Sequence, residues 1–138
     1  MARVLVVDDE VGIRHVVRLA LERVDISVLE AADPQAALAV LSHSQPDLVI
    51  ADVHLPGVDG VELARRMRMI RPTLPVIFIS ASIYPHQASH TAQVGIYLEK
   101  PFKLQQLQNL VQETLLHPER ACPDAGQSAA VNPPWESD

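Results

Sequence analysis

Six side chains in this sequence have the types and spacing to handle a charged substrate: Asp8, Asp9, Glu10, Asp52, Ser80 and Lys100. All of them follow short apolar runs, VLVV before Asp8, LVIA before Asp52, VIFI before Ser80 and IYL before Glu99-Lys100. Acids gathered in one cleft repel, and one or more takes up a proton unless a cation intervenes. Asp8, Asp9 and Asp52 supply only oxygen ligands, which suits a hard divalent ion. Magnesium fits best, because it keeps several waters and shares its shell with phosphate. Zinc fits poorly, since no His or Cys accompanies the acids at ligand spacing. Lys100 adds a mobile positive charge and Ser80 a hydroxyl, so the set forms an anion-handling site for which phosphate is the natural choice.

Each residue has a plainer use. Asp8 or Asp9 could cap a following helix, and Asp52 could open an Asx-turn before Pro56-Gly57. Ser80 could be a loop hydroxyl and Lys100 a solvated loop lysine. The chain has only two lysines, however, and one stands at the end of an apolar run beside the others. One shared site explains four such placements better than four separate accidents.

The elements that must position these residues are legible as an alternation. Runs 4–7, 26–29, 48–51, 76–79 and 96–98 read as strands, and the first four are rich in Val and Ile, as strands buried on both faces are. Between them lie segments of helical period. Residues 11–24 place Ile13, Val16, Val17, Ala20, Leu21 and Val24 on one face, with Arg14, Arg18 and Glu22 opposite. Asp33-Pro34 marks a helix start carrying Ala37, Leu38 and Leu41. Residues 58–70 turn Leu63, Met67 and Ile70 inward, and 104–116 turn Leu104, Leu107, Leu110, Val111 and Leu115 inward. The segment 82–93, with Pro85 and little periodicity, predicts only a short or distorted helix. Such alternation predicts an α/β domain: a doubly wound five-stranded parallel sheet with helices on both faces and its ligand site beyond the carboxyl ends of the strands.

The totals agree. A chain of 138 residues suggests one domain that can bury a core without disulfide or metal staples. Apolar residues make up 48% and aromatics 4%, so the core is aliphatic. A net charge of −6 argues against a dedicated nucleic-acid binder. Cys122 has no partner for an internal disulfide, which fits a reducing compartment. No stretch nears the roughly 18 apolar residues of a membrane span, and run 4–7 is too short for a signal peptide. The expectation is a soluble, cytoplasmic protein, and Met1 directly ahead of the first strand favours a natural start.

Four stretches together, VLVVDDE, DLVIADVHLPGVDG, VIFISA and YLEKPF, resemble in order and spacing the motifs of receiver domains of two-component response regulators. The resemblance covers about residues 1–116 and implies the flavodoxin-like strand order 2-1-3-4-5. It implies that Asp52 accepts a phosphoryl group from a phosphohistidine of a sensor histidine kinase or histidine phosphotransfer protein. Asp9, Asp52 and the backbone carbonyl of His54 would bind Mg²⁺, and Asp8 would act through water. Lys100 would pair with the phosphoryl oxygens, Ser80 would hydrogen-bond to them, and Tyr97 would be the switching aromatic. The Lys100–Pro101 bond would be cis. The chain would be a signalling switch that catalyses only its own phosphorylation and dephosphorylation. Its output surface, built from segment 82–93, the fifth strand and the last helix, would face a downstream protein that these residues do not identify. A small Mg²⁺-dependent phosphohydrolase with an aspartyl-phosphate intermediate is the alternative, and a flavin or nucleotide binder is disfavoured by acids where a Gly-rich phosphate loop would stand.

Some features depart from the family pattern. The Ser80-to-Lys100 interval is short, around Val94-Gly95-Ile96, so an altered output surface is expected. His54 and Ser82, each two residues past a site residue, would flank the phosphoryl group. Gln105, Gln106, Gln108, Asn109, Gln112 and Glu113 should form a polar outer face, and Arg65, Arg66, Arg68 and Arg71 a solvated stripe. His15, Arg18 and Leu19 lie outward where family kinases dock. From His117 to Asp138 the composition predicts a flexible, Pro-containing tail with Trp135 near its end.

Overall fold

The computed structural model describes residues 1–81 and 94–122. Its strands are β1 (Arg3–Val7), β2 (Ser27–Ala31), β3 (Leu48–Asp52), β4 (Val76–Ser80) and β5 (Ile96–Glu99). They form one parallel sheet in the order β2-β1-β3-β4-β5. The helices are α1 (Val11–Glu22), α2 (Pro34–His43), α3 (Gly60–Ile70) and, after β5, α4 (Leu104–Leu116). A 3-10 turn, Pro118–Ala121, follows.

Alternate strand residues face two separate cores, as the two-residue repeat of a strand requires. Leu5, Val7, Val49, Ala51 and Phe78 pack against Ala37 and Leu41 of α2 and Leu63 and Met67 of α3. Val4, Val6, Leu48, Ile50, Ile77 and Ile79 pack against Val17, Ala20 and Leu21 of α1 and Leu107 and Val111 of α4. Each fully buried Leu or Ile contributes about 1.5–3 kcal/mol, so the sheet is clamped from both faces. The two cores explain why the strands read as unbroken apolar runs.

Helix starts follow their caps. Asp33 accepts the Ala36 N–H at the head of α2, and Asp59 accepts that of Glu62 at the head of α3, both at 2.8 Å. Helix α1 ends before Val24, because Asp25 adopts a left-handed φ of 63° and the chain reverses there. The Lys100–Pro101 bond is cis. Among the described residues no helix is long and apolar enough to cross a membrane.

Several outward and inward assignments are corrected. Val16 is 37% exposed and Ile70 53% exposed, since Val16 borders an open groove and Ile70 is the last residue of its helix. Arg68 and Arg71 are not a solvated stripe. Arg68 donates to the carbonyls of Leu74 at 3.0 Å and Ala121 at 2.6 Å, and Arg71 donates to that of Pro46. Gln108 is not on an outer face either, because its amide donates to the Ala20 carbonyl at 2.7 Å and joins α4 to α1. The packed chain runs past the expected boundary at Leu116: Ala121 and Cys122 are buried, and the Cys122 thiol lies 3.4 Å from the Pro72 carbonyl. A 3-10 turn has no helical repeat to show in the sequence. The expected short helix in 82–93, Ser82 and Trp135 all lie outside the described residues.

Arg68 therefore fastens the 3-10 turn to α3. Replacing it with Ala should cost about 2 kcal/mol, the usual loss for hydrogen bonds from a charged donor. Urea unfolding measures that loss, and faster tryptic cleavage after the exposed Arg120 should accompany it.

Candidate functional site

Strand register brings the chemistry together. Val7 pairs with Ala51 and Ser80 pairs with Glu99, so Asp8, Asp52, Ser80 and Lys100 all emerge at the carboxyl rim of adjacent strands. Asp8 is fully buried. Its Oδ1 accepts the Glu10 N–H at 2.9 Å, while its own N–H donates to the Ala31 carbonyl of β2 at 3.2 Å. Asp52, also buried, accepts the His54 N–H on Oδ1 at 2.8 Å. The Lys100 ammonium spans the two acids, 3.2 Å from Asp8 Oδ2 and 3.0 Å from Asp52 Oδ2, with Glu10 Oε1 at 4.0 Å.

Backbone approach fixes where Asp52 stands. The Gly60 N–H donates to the Val53 carbonyl at 2.7 Å, and a Cβ at Gly60 would fall 2.2 Å from the Asp52 carbonyl oxygen. Only glycine lets α3 begin so close to the end of β3. Farther along the rim, Ser80 is buried, and its carbonyl accepts the Lys100 N–H at 2.8 Å and the Tyr97 hydroxyl at 3.2 Å. The Tyr97 ring packs half-buried against the α2/α3-side core.

The electrostatics follow from burial. Desolvation raises the Asp8 carboxyl above its ordinary range, and the Glu10 N–H and the Lys100 charge only partly oppose it. Burial works against the Lys100 ammonium too, but its hydrogen bonds to Asp52 and Asp8 and the charges of both outweigh that and raise its pKa. Burial, then the Glu99 and Asp52 charges, push the Tyr97 phenol up.

Asp8, Glu10 and Asp52 each place a carboxylate oxygen within 4.8 Å of the other two. Three acids against one ammonium leave the rim short of positive charge, and its side-chain donors are all oxygen, a set that fits a hard divalent cation. Asp9 is exposed and outside this group, whereas Glu10, which had no ligand role in the sequence reading, is inside it. Glu10 is itself exposed, with its N–H held by Asp8 Oδ1. His54 is exposed, with its amide committed to Asp52.

Residues 4–112 match the family model of the response regulator receiver domain. The chain belongs to that family. Its receiver is similar to the response regulator MprA of Mycolicibacterium vanbaalenii, 36% identical over 94% of this chain and 56% of that protein. It is 29% identical to the sporulation initiation phosphotransferase F of Bacillus subtilis, over 82% of this chain and 93% of that one. Among solved structures it resembles the chemotaxis protein CheY4 of Vibrio cholerae, with a TM-score of 0.76, 32% identity, and 82% of this chain and 98% of that chain covered. The chain spans about half the length of MprA and of the similarly matched regulator PhoB of Pseudomonas aeruginosa. It is a receiver domain of two-component signal transduction with the flavodoxin-like order 2-1-3-4-5.

Because folding raises the pKa of Asp8, the folded receiver binds this proton more tightly than the unfolded chain. Stability is therefore lost as pH rises from 3.8 through the raised folded value, and the loss is complete above it. Without divalent cations, Asp8→Asn should raise the urea midpoint at neutral pH, and the gain should vanish below pH 3.8. Gly60→Ala should destabilise by about 1–3 kcal/mol, the usual cost of overpacking, as read from the same unfolding curves.

Proposed function

We propose that Asp52 accepts a phosphoryl group from the phosphohistidine of a sensor histidine kinase or histidine phosphotransfer protein. The supporting observation is the placement of its carboxylate at the sheet rim, opposite Asp8, with Lys100 between them. An Asp52 oxygen forms the new bond to phosphorus as the phosphorus–nitrogen bond of the donor breaks, and the leaving imidazole keeps that electron pair. A carboxylate is a weak nucleophile, so positioning and charge neutralisation carry the reaction. Asp8, Asp9, Asp52 and the His54 carbonyl are the proposed holders of Mg²⁺, with Glu10 beside them. When bound, the ion neutralises charge on the transferring group.

Lys100 is tethered at its own N–H to Ser80, so its side chain can leave the carboxylates for phosphoryl oxygens while its base stays fixed. Ser80 is the proposed hydroxyl donor to the phosphoryl group. The product is a mixed anhydride that carries about two negative charges where one stood. Tyr97 is already linked to Ser80 through its hydroxyl, so a shift of Ser80 reaches β5 directly. The receiver then acts as a switch on a protein partner through β5 and α4, and its self-catalysed chemistry is limited to gaining and losing the phosphoryl group.

The donor-facing side also supports this reading. An apolar groove of about 300 Å³, lined by Ile13, Val16, Ala81, Pro101 and Phe102, opens beside Lys100. Leu19, 42% exposed, lies about one turn beyond Val16 on α1. A magnesium phosphohydrolase would use the same acids, but no described feature favours it.

Incubation with acetyl phosphate and Mg²⁺ should add one phosphoryl group per chain by intact mass, and Asp52→Asn should abolish it. Equal labelling of that variant, or steady turnover of phosphomonoesters, would reject the assignment. Lys100→Ala should slow labelling by about 100-fold, within the range for lost charge stabilisation.

A further inference from the structure

The sequence reading puts Arg14 on the solvent face of α1, yet its side chain is only 15% exposed. Its guanidinium works in two directions. Nη1 donates to the Asp8 backbone carbonyl at 2.7 Å, and Nε donates to Glu30 Oε1 at 3.1 Å. Glu30 lies on β2 and pairs in register with Val6 of β1. Its second oxygen accepts Arg18 Nε at 2.7 Å, so the carboxylate is itself held from two sides. Arg18 first, then Arg14, keeps the Glu30 carboxyl below its ordinary range despite some burial.

The peptide units flanking Asp8 are thereby tied to β2 on both sides. Its N–H reaches Ala31 directly, and its carbonyl reaches Glu30 through Arg14. Beyond that carbonyl the chain turns through Asp9 and Glu10 into α1, and Glu10 caps α1 without a side-chain hydrogen bond of its own. Arg14 thus fastens the backbone where the acid-bearing turn leaves the sheet, while Lys100 holds the Asp8 carboxylate.

We propose that Arg14, oriented by Glu30, is a positioning residue that sets the β1–α1 turn for divalent-cation binding. The inference rests on the proposed phosphoryl-acceptor reading and names what holds that site in shape. It separates cleanly from a simple charge effect. A nearby guanidinium repels a divalent cation, so if charge alone mattered, removing it would tighten binding. If Arg14 positions the acids, losing it weakens binding. Lysine keeps the charge but cannot present two fixed donors in a fork, so Arg14→Lys tests geometry at constant charge.

The experiment is Mg²⁺ titration calorimetry on the full 138-residue chain, beside acetyl phosphate labelling at graded Mg²⁺. Arg14→Lys should weaken Mg²⁺ about tenfold, the lower end of the range for residues that orient metal ligands. Its labelling rate at saturating Mg²⁺ should approach that of the wild type, so the defect appears in the half-saturating concentration. Arg18→Gln, which removes a partner of the same Glu30 without touching Asp8, should leave the affinity near wild type. In cation-free protein, amide exchange at Asp9 and Glu10 should quicken in Arg14→Lys but not in Arg18→Gln, and thermal unfolding verifies that both are folded. Wild-type affinity and exchange in Arg14→Lys, or tighter binding in Arg14→Gln, would overturn the positioning role alone. A wild-type chain that neither binds Mg²⁺ nor labels would overturn the proposed function with it.

Discussion

Two carboxylates buried at the ends of neighbouring strands repel each other, and the fold places a single ammonium between them. Most of the site's construction follows from that arrangement. Asp8 and Asp52 are each fixed by a backbone N–H two residues ahead and by the same lysine. Burial makes the charges costly, and so makes the rim responsive to any cation or anion that alters the balance. A solvated cluster of the same residues would be screened and would discriminate little.

The parallel sheet makes such a meeting possible. Its strands all run one way, so every strand delivers its last residue to one rim, while the aliphatic cores on both faces hold strand spacing and register. Glycine at the head of α3 lets backbone stand against backbone where a side chain would force the end of β3 aside. Ser80, Tyr97 and Lys100 share the carbonyl at the end of β4, so the fifth strand is wired to the site through one peptide unit.

The sequence was most legible where burial is symmetrical. All five strands appeared as apolar runs, and the last helix was bounded as observed, because a strand between two cores or a helix on one face leaves a periodic signature. Asp52, its opposing acid and the lysine were legible as polar residues that interrupt those runs at corresponding ends. What stayed hidden was polar and long-range. Arg14, Arg68, Arg71 and Gln108 looked like surface residues, yet each donates to a backbone carbonyl outside its own helix. Backbone acceptors exist at every position, so the sequence gives no sign of which one will be used. The approach of Glu10 to Asp8 and Asp52 was hidden likewise, because adjacent acids carry no sign of which one reaches a neighbour.

The 3-10 turn after α4 has a geometric result of its own. By seating Ala121 against Arg68 and Cys122 against Pro72, it places Cys122 beside the loop that leads into β4, whereas Asp52 ends β3 at the opposite edge of the sheet. Cys122 thus stands at the amino-terminal edge of the sheet, and the rim that gathers Asp8, Asp52 and Lys100 lies at the carboxyl edge.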